Sequence, residues 1–205
     1  MAPVLGVFCF KNMDKKIFKN KYRIDTARLK SWDYSADGYY FITICTKNNV
    51  NYFGRVINKE MHLSELGLMA QKYWQEIPDH FFNVYLDESI IMPNHLHGIV
   101  IINKNKITND EMPFIGFNNN HVRRDEALPR LYDGISPKPG SLPVIIGSFK
   151  SITTKSIRRF NLEFYWQARY YDNVIKDETA LFNIREYIKN NPKKWESDRN
   201  YKKIT

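Results

Sequence analysis

The chain is 205 residues long, with 31 Lys and Arg against 22 Asp and Glu, a formal charge of +9, and 43% apolar and 15% aromatic residues. That length suits one domain, or one domain with an appendage; the aromatic content excludes a wholly disordered chain, and apolar runs no longer than Ile99 to Ile102 exclude a spanning helix of about 20 residues. Cys9 and Cys45, the two cysteines, supply neither a disulfide framework nor a CxxC metal knuckle, which points to a cytoplasmic chain with a polyanionic partner.

Ala2 to Phe10 is apolar, but no basic residue precedes it and no small-residue cleavage site follows, the reverse of a secretory signal. Met13 is an alternative start. Residues 1–21 read as a basic, poorly ordered arm, because charged, polar sequence does not repay the entropy of ordering; a single domain follows over 22–205. Tyr39 to Thr46 is β-branched and aromatic and reads as a strand opened by a turn at Asp37-Gly38. Ser64 caps a helix running to about Ile77, with Leu66, Met69, Ala70, Tyr73 and Ile77 on one face, and Pro78 stops it.

Phe82 to Ile91 and Leu96 to Ile102 are two further strands, separated by Met92-Pro93-Asn94. Residues 103–140 lose any steady period in a run of Asn, Lys, Pro, Gly and Asp, and read as a long loop insertion. Pro143 opens a helix to about Phe160, with Val144, Ile145, Phe149 and Ile152 inward and Lys150, Lys155, Arg158 and Arg159 outside. A strand at Tyr171 to Ile175 precedes a helix from Glu178 to Asn190, capped by Asp177 and ended by Pro192. The order β-α-β-β-α-β-α is that of an antiparallel sheet with helices packed on it, an α+β sandwich.

His95 and His97 flank Leu96 on a strand, where residues two apart share a face, so both imidazoles project together and can share one metal ion. A bare HxH is weak, since two half-exposed histidines satisfy it equally well. On the last helix Tyr187 and Asn191 are four apart and share a face. Leu181, Ile184 and Ile188 mark the buried stripe, which leaves Tyr187 at its edge, half covered. Taken singly, a boundary tyrosine and a helix-ending asparagine explain this pair too.

The combination is more specific. Ile91-Met-Pro-Asn-His-Leu-His97, then Trp166-Gln167, then Tyr187-Ile-Lys-Asn-Asn-Pro192, with Tyr34-Ser35 through Gly38 to Thr46 upstream, resembles the single-tyrosine transposases of the HUH superfamily, more narrowly the REP-associated tyrosine transposases, over roughly Arg28 to Trp195. The resemblance implies a ferredoxin-like antiparallel sheet with helices packed on one face. It implies His95 and His97 as ligands of a divalent cation, Tyr187 as the nucleophile and Asn191 as a further metal ligand. It also implies cleavage and rejoining of single-stranded or hairpin DNA through a 5′-phosphotyrosine, by a monomer or homodimer. Two histidines and an amide oxygen suit Mn²⁺ better than Mg²⁺, which the phosphate and waters still permit. This sequence departs from the family mainly in its first 20 residues and its 103–140 insertion.

The charge is unevenly spread: +6 over residues 1–30, −3 over 31–145 and +6 over 146–205. The C-terminal share surrounds Tyr187, and Lys189, Lys193 and Lys194 are expected to hold phosphates there, with Lys150, Lys155, Arg158, Arg159 and Arg169 as further DNA contacts. Such a chain is expected in the bacterial cytoplasm, with the nucleoid. Tyr170 and Tyr171 are rival nucleophiles, but neither has a ligand-type residue at helical spacing, so they read as packing or base-stacking residues. Two other functions remain open. One is a DNA-binding protein of the same fold that does not cleave. The other is a metallohydrolase using HxH with carboxylates such as Asp87 and Glu88.

Overall fold

The computed structural model of the chain describes residues 16–18, 21–23, 32–104, 137–160, 163–198 and 200–201. The chain divides into two compact units, residues 1–32 and 33–205. In the first, β1 (Lys16–Phe18) and β2 (Lys21–Arg23) pair antiparallel, Lys16 opposite Arg23. The rest of the expected basic arm, and residues 105–136 of the expected insertion, lie outside the described residues.

The second unit carries the expected order with short additions. β3 (Gly38–Cys45) is followed by a hairpin, β4 (Gly54–Ile57) and β5 (Glu60–Leu63), that the sequence pattern did not disclose. Its turn is made by Asn58 and Lys59, both at positive φ (51° and 66°), a two-residue turn of the type that matches strand twist but is usually flagged by glycine. Helix α1 (Glu65–Gln75) begins at Ser64, whose hydroxyl accepts the Gly67 amide. Pro78 does not simply end a helix: it stands in the first turn of a separate short one, α2 (Ile77–His80), where a missing amide costs nothing.

Then come β6 (Val84–Met92), β7 (His95–Ile102), α3 (Leu142–Ile157), β8 (Tyr171–Ile175) and α4 (Glu178–Lys189). A final 3-10 turn spans Pro192–Ser197. The four-stranded sheet runs β6-β7-β3-β8, antiparallel throughout. Numbered within the sheet this is the order 2-3-1-4 of a β-α-β-β-α-β ferredoxin-like unit.

Alternation along the two central strands builds two cores. Tyr40, Ile42, Ile44, Leu96, Val100 and Ile102 pack with Ala70 and Trp74 of α1 and Ile145 and Phe149 of α3. The opposite parity, Phe41 and Ile99 with Ile175 of β8, packs with Leu181, Ile184 and Ile188 of α4. The two crossover helices thus share one face, as expected, and α4 covers the other. Ile152, expected inward on α3, is instead 39% exposed, and Ile146, Thr153 and Ile157 are buried, because the stripe is rotated by about one residue. Gly98 explains how α1 approaches β7: a Cβ there would lie 2.3 Å from Cζ2 of Trp74.

Candidate metal and tyrosine site

The site occupies the α4 face of the sheet. His95 and His97 alternate with Leu96 on β7, so both rings leave that face together, and both are fully buried rather than half exposed. Their Nε2 atoms are 3.0 Å apart. That is the separation of two nitrogens each about 2.0–2.1 Å from one ion at roughly a right angle.

Each ring is held from behind. His97 Nδ1 is 2.8 Å from the hydroxyl of Thr43, its cross-strand partner on β3, and Phe41 stacks on the ring at 5.5 Å. His95 Nδ1 is 2.9 Å from Asn94 Oδ1. The Asn94 amide nitrogen donates to the carbonyls of Asn49 (3.1 Å) and Asn200 (2.8 Å), so its other atom is the oxygen, an acceptor. His95 must therefore carry its proton on Nδ1 and present the Nε2 lone pair to the site. Burial pushes the His95 imidazole down to about 4, with the Asp198 carboxylate opposing, so at neutral pH the ring is uncharged.

Tyr187 reaches the same point from α4. Its hydroxyl is 3.3 Å from His97 Nε2, and its ring packs edge-on against Phe41 at 6.0 Å. The helix is anchored on both sides of Tyr187. Arg185 donates to both carboxylate oxygens of Asp87 (3.0 and 3.1 Å from Nε), and Lys189 pairs with Glu88 at 3.1 Å. Burial works against ionising Asp87, but Arg185 and the Glu88 amide hold its carboxyl below the usual range. Asp87 and Glu88, the carboxylates considered for a hydrolase, are thus engaged with α4.

The carboxylate near the histidines is Asp198, just past the final 3-10 turn: ligand-type atoms of His95, His97 and Asp198 all lie within 4.8 Å of one another. The turn closes the site, with Trp195 packed on His95 at 5.9 Å and Tyr201 edge-on to Trp195. Asn191 is buried, and among the described residues its Oδ1 has no hydrogen-bond partner. A buried acceptor left unpaired costs about 1–3 kcal/mol. Two imidazoles and one carboxylate with ligand atoms this close form a donor set that suits a divalent cation.

Asp198, Thr43, Trp195 and Asn200 had no sequence signal, since none repeats at a strand or helix period with the histidines. Asn94 was visible as the residue before His95, but its role depends on two carbonyls distant in the chain. The expected phosphate contacts divide. Lys189, Lys193 and Lys194 flank the site's helix and turn and are exposed. Lys150, Lys155 and Arg158 line a separate groove with Tyr165 and Gln167, belonging to the α3 side. There Lys150 is not outward but half-buried, donating to the Gln167 carbonyl at 2.5 Å, and burial brings its ammonium down to about 8. Arg158 donates to the Phe164 carbonyl and lies over the Tyr165 ring, Arg159 is exposed, and Arg169 is half-buried. Tyr170 packs against the core on the α1 and α3 face and Tyr171 against the one under α4. No helix among the described residues is long and apolar enough to cross a membrane.

No family model matches the sequence. An uncharacterized protein of Haemophilus influenzae is 40% identical over 176 residues, covering 85% of this chain and 91% of that protein. A solved structure of a REP-associated tyrosine transposase bound to a REP hairpin is similar with a TM-score of 0.49 at 14% identity, over 83% of this chain and 74% of that one.

Proposed function

The chain belongs to one family with the uncharacterized Haemophilus influenzae protein, and from its site we propose that it is a metal-dependent enzyme that cuts and rejoins single-stranded DNA through Tyr187. The observation that carries this reading is the 3.3 Å approach of the Tyr187 hydroxyl to His97 Nε2, on an imidazole pair spaced for one ion. His95, His97 and Asp198 would hold the cation, with Asn191 as a further ligand. Bound there, Mn²⁺ or Mg²⁺ would supply Lewis-acid stabilisation of charge on the scissile phosphate.

The chain's own groups do the rest. Asn94 and Thr43 keep both imidazoles aimed at the site. The Arg185–Asp87 and Lys189–Glu88 pairs hold α4 so that the phenol oxygen faces the reacting phosphate. Tyr187 gives up its proton and attacks phosphorus; the new P–O bond forms as the bond to the 3′ oxygen breaks, leaving a 5′-phosphotyrosine and a free 3′-hydroxyl. Reversal by a second 3′-hydroxyl rejoins strands without an external energy source, because the number of phosphate ester bonds is unchanged.

The test is a protease-sensitive covalent adduct on labelled, hairpin-bearing single-stranded DNA with Mn²⁺. Wild type forms it and Tyr187→Phe does not; an adduct that survives in Tyr187→Phe sinks the assignment. The position of Asp198 favours one second reading, a hydrolase in which two histidines and a carboxylate activate water. Cleavage without an adduct, undiminished in Tyr187→Phe, would select it. Binding of DNA with neither cleavage nor adduct would select a non-cleaving DNA-binding protein.

A further inference from the structure

Between the β4–β5 hairpin and the final 3-10 turn lies a cleft of about 790 Å³, walled by Arg55, Asn58 and Lys59 on one side and by Lys193, Lys194 and Trp195 on the other. Its volume is in the range of sites that enclose a ligand rather than graze it. Arg55, Lys59, Lys193 and Lys194 face it against one carboxylate, Glu196. The four basic side chains belong to exposed residues.

The cleft adjoins the histidine pair through Trp195 and Pro93. Trp195 forms part of its wall and packs on the His95 ring, and Pro93, which also lines it, stands two residues before His95. Pro93 is fixed by its carbonyl, which accepts the Phe53 amide at 2.9 Å at the root of the hairpin. The basic groove beside α3 has no such neighbour among its lining residues, and its Lys150 and Arg158 already serve the Gln167 and Phe164 carbonyls.

Resting on the strand-cutting reading above, we propose that this cleft is the channel for the single-stranded DNA flanking the scissile phosphate, with Arg55 and Lys59 of the hairpin and Lys193 and Lys194 of the turn on its phosphates. A concave track with cations on both walls follows a flexible backbone, and Tyr201 at its edge adds an aromatic surface for a base.

The experiment measures binding of a fluorescent single-stranded DNA across a salt series, in a Tyr187→Phe background that leaves the strand uncut. The cleft variant combines Arg55→Gln, Lys59→Asn, Lys193→Gln and Lys194→Gln; asparagine is chosen because it tolerates the positive φ at position 59. Its affinity is expected to fall about tenfold or more at low salt, and the salt slope to shrink by roughly 0.7 for each phosphate no longer neutralised by a cation. Lys155→Gln with Arg158→Gln in the α3 groove is expected to weaken binding by under about twofold. Unchanged binding in the cleft variant, an equal weakening in the α3 variant, or an equal weakening for duplex DNA and heparin would overturn the proposal. Tighter binding of the same sequence as RNA would overturn the choice of DNA.

The adduct assay separates the two readings. If wild type makes no adduct while the cleft variant loses strand binding, the cutting reading falls and the channel stands. If, with Tyr187 restored, the cleft variant makes adduct as fast as wild type at limiting DNA, the channel falls and the cutting reading stands.

Discussion

Asn94 Oδ1 accepts from His95 Nδ1 at 2.9 Å, while the same side chain donates to carbonyls 45 residues upstream and 106 residues downstream. One amide thereby ties the start of β7 to the turn after β3 and to the C-terminal segment. In doing so it selects the histidine tautomer that can bind a metal.

Asn94→Asp keeps the shape but sets a carboxylate against two carbonyls, and Asn94→Ala removes the clamp. Both are expected to weaken Mn²⁺ binding by about 10–100-fold, as loss of an outer partner of a ligating histidine does. Isothermal calorimetry on chelator-treated protein reads this, and undiminished affinity in either variant would refute the role.

Asn191 and Asp198 are both tested as metal ligands. Asn191→Ala removes an orphaned buried oxygen, so the metal-free protein is expected to hold its melting temperature or gain slightly. If Asn191 is a ligand, the same change weakens Mn²⁺ binding. Asp198→Asn is expected to cost metal affinity as well; whichever variant binds metal like wild type is not a ligand.

Acid stability should follow His95. Its folded pKa, near 4, lies below the unfolded value near 6.5, so between these limits the unfolded chain binds more protons. The contribution of the neutral ring is complete above about pH 6.5 and is lost as pH falls towards 4. Thermal unfolding of the metal-free protein should weaken across that window, and His95→Gln should flatten the profile. An unchanged slope in His95→Gln would show that another group governs it.

Gly98→Ala is expected to destabilise by about 1–3 kcal/mol through overpacking, because the new methyl meets the Trp74 ring at 2.3 Å. Adding Trp74→Phe should recover part of the loss, a coupling visible in a double-mutant cycle of melting temperatures. Strict additivity would mean that the ring does not set the limit.

Local pattern determined a good deal of this molecule. The alternation of β3 and β7, the cap at Ser64, the cap at Asp177 and the Leu181, Ile184, Ile188 stripe are short-range effects, and they placed the elements to within a few residues. The pairing of His95 with His97 followed from the two-residue period of a strand, and the half-covered Tyr187 from the edge of a helical stripe. The tertiary structure alone decided that α4 lies on the histidine face, because that depends on the parity with which Phe41, Ile99 and Ile175 share a side of the sheet. It alone brought in Asp198, Trp195 and Asn200, which reach the site through a turn with no periodic signature. The hairpin at 54–63 stayed hidden because its turn uses Asn and Lys at positive φ rather than glycine. A strand or helix is recorded in neighbours a few positions apart, whereas a site is made where distant segments meet, and packing chooses that meeting.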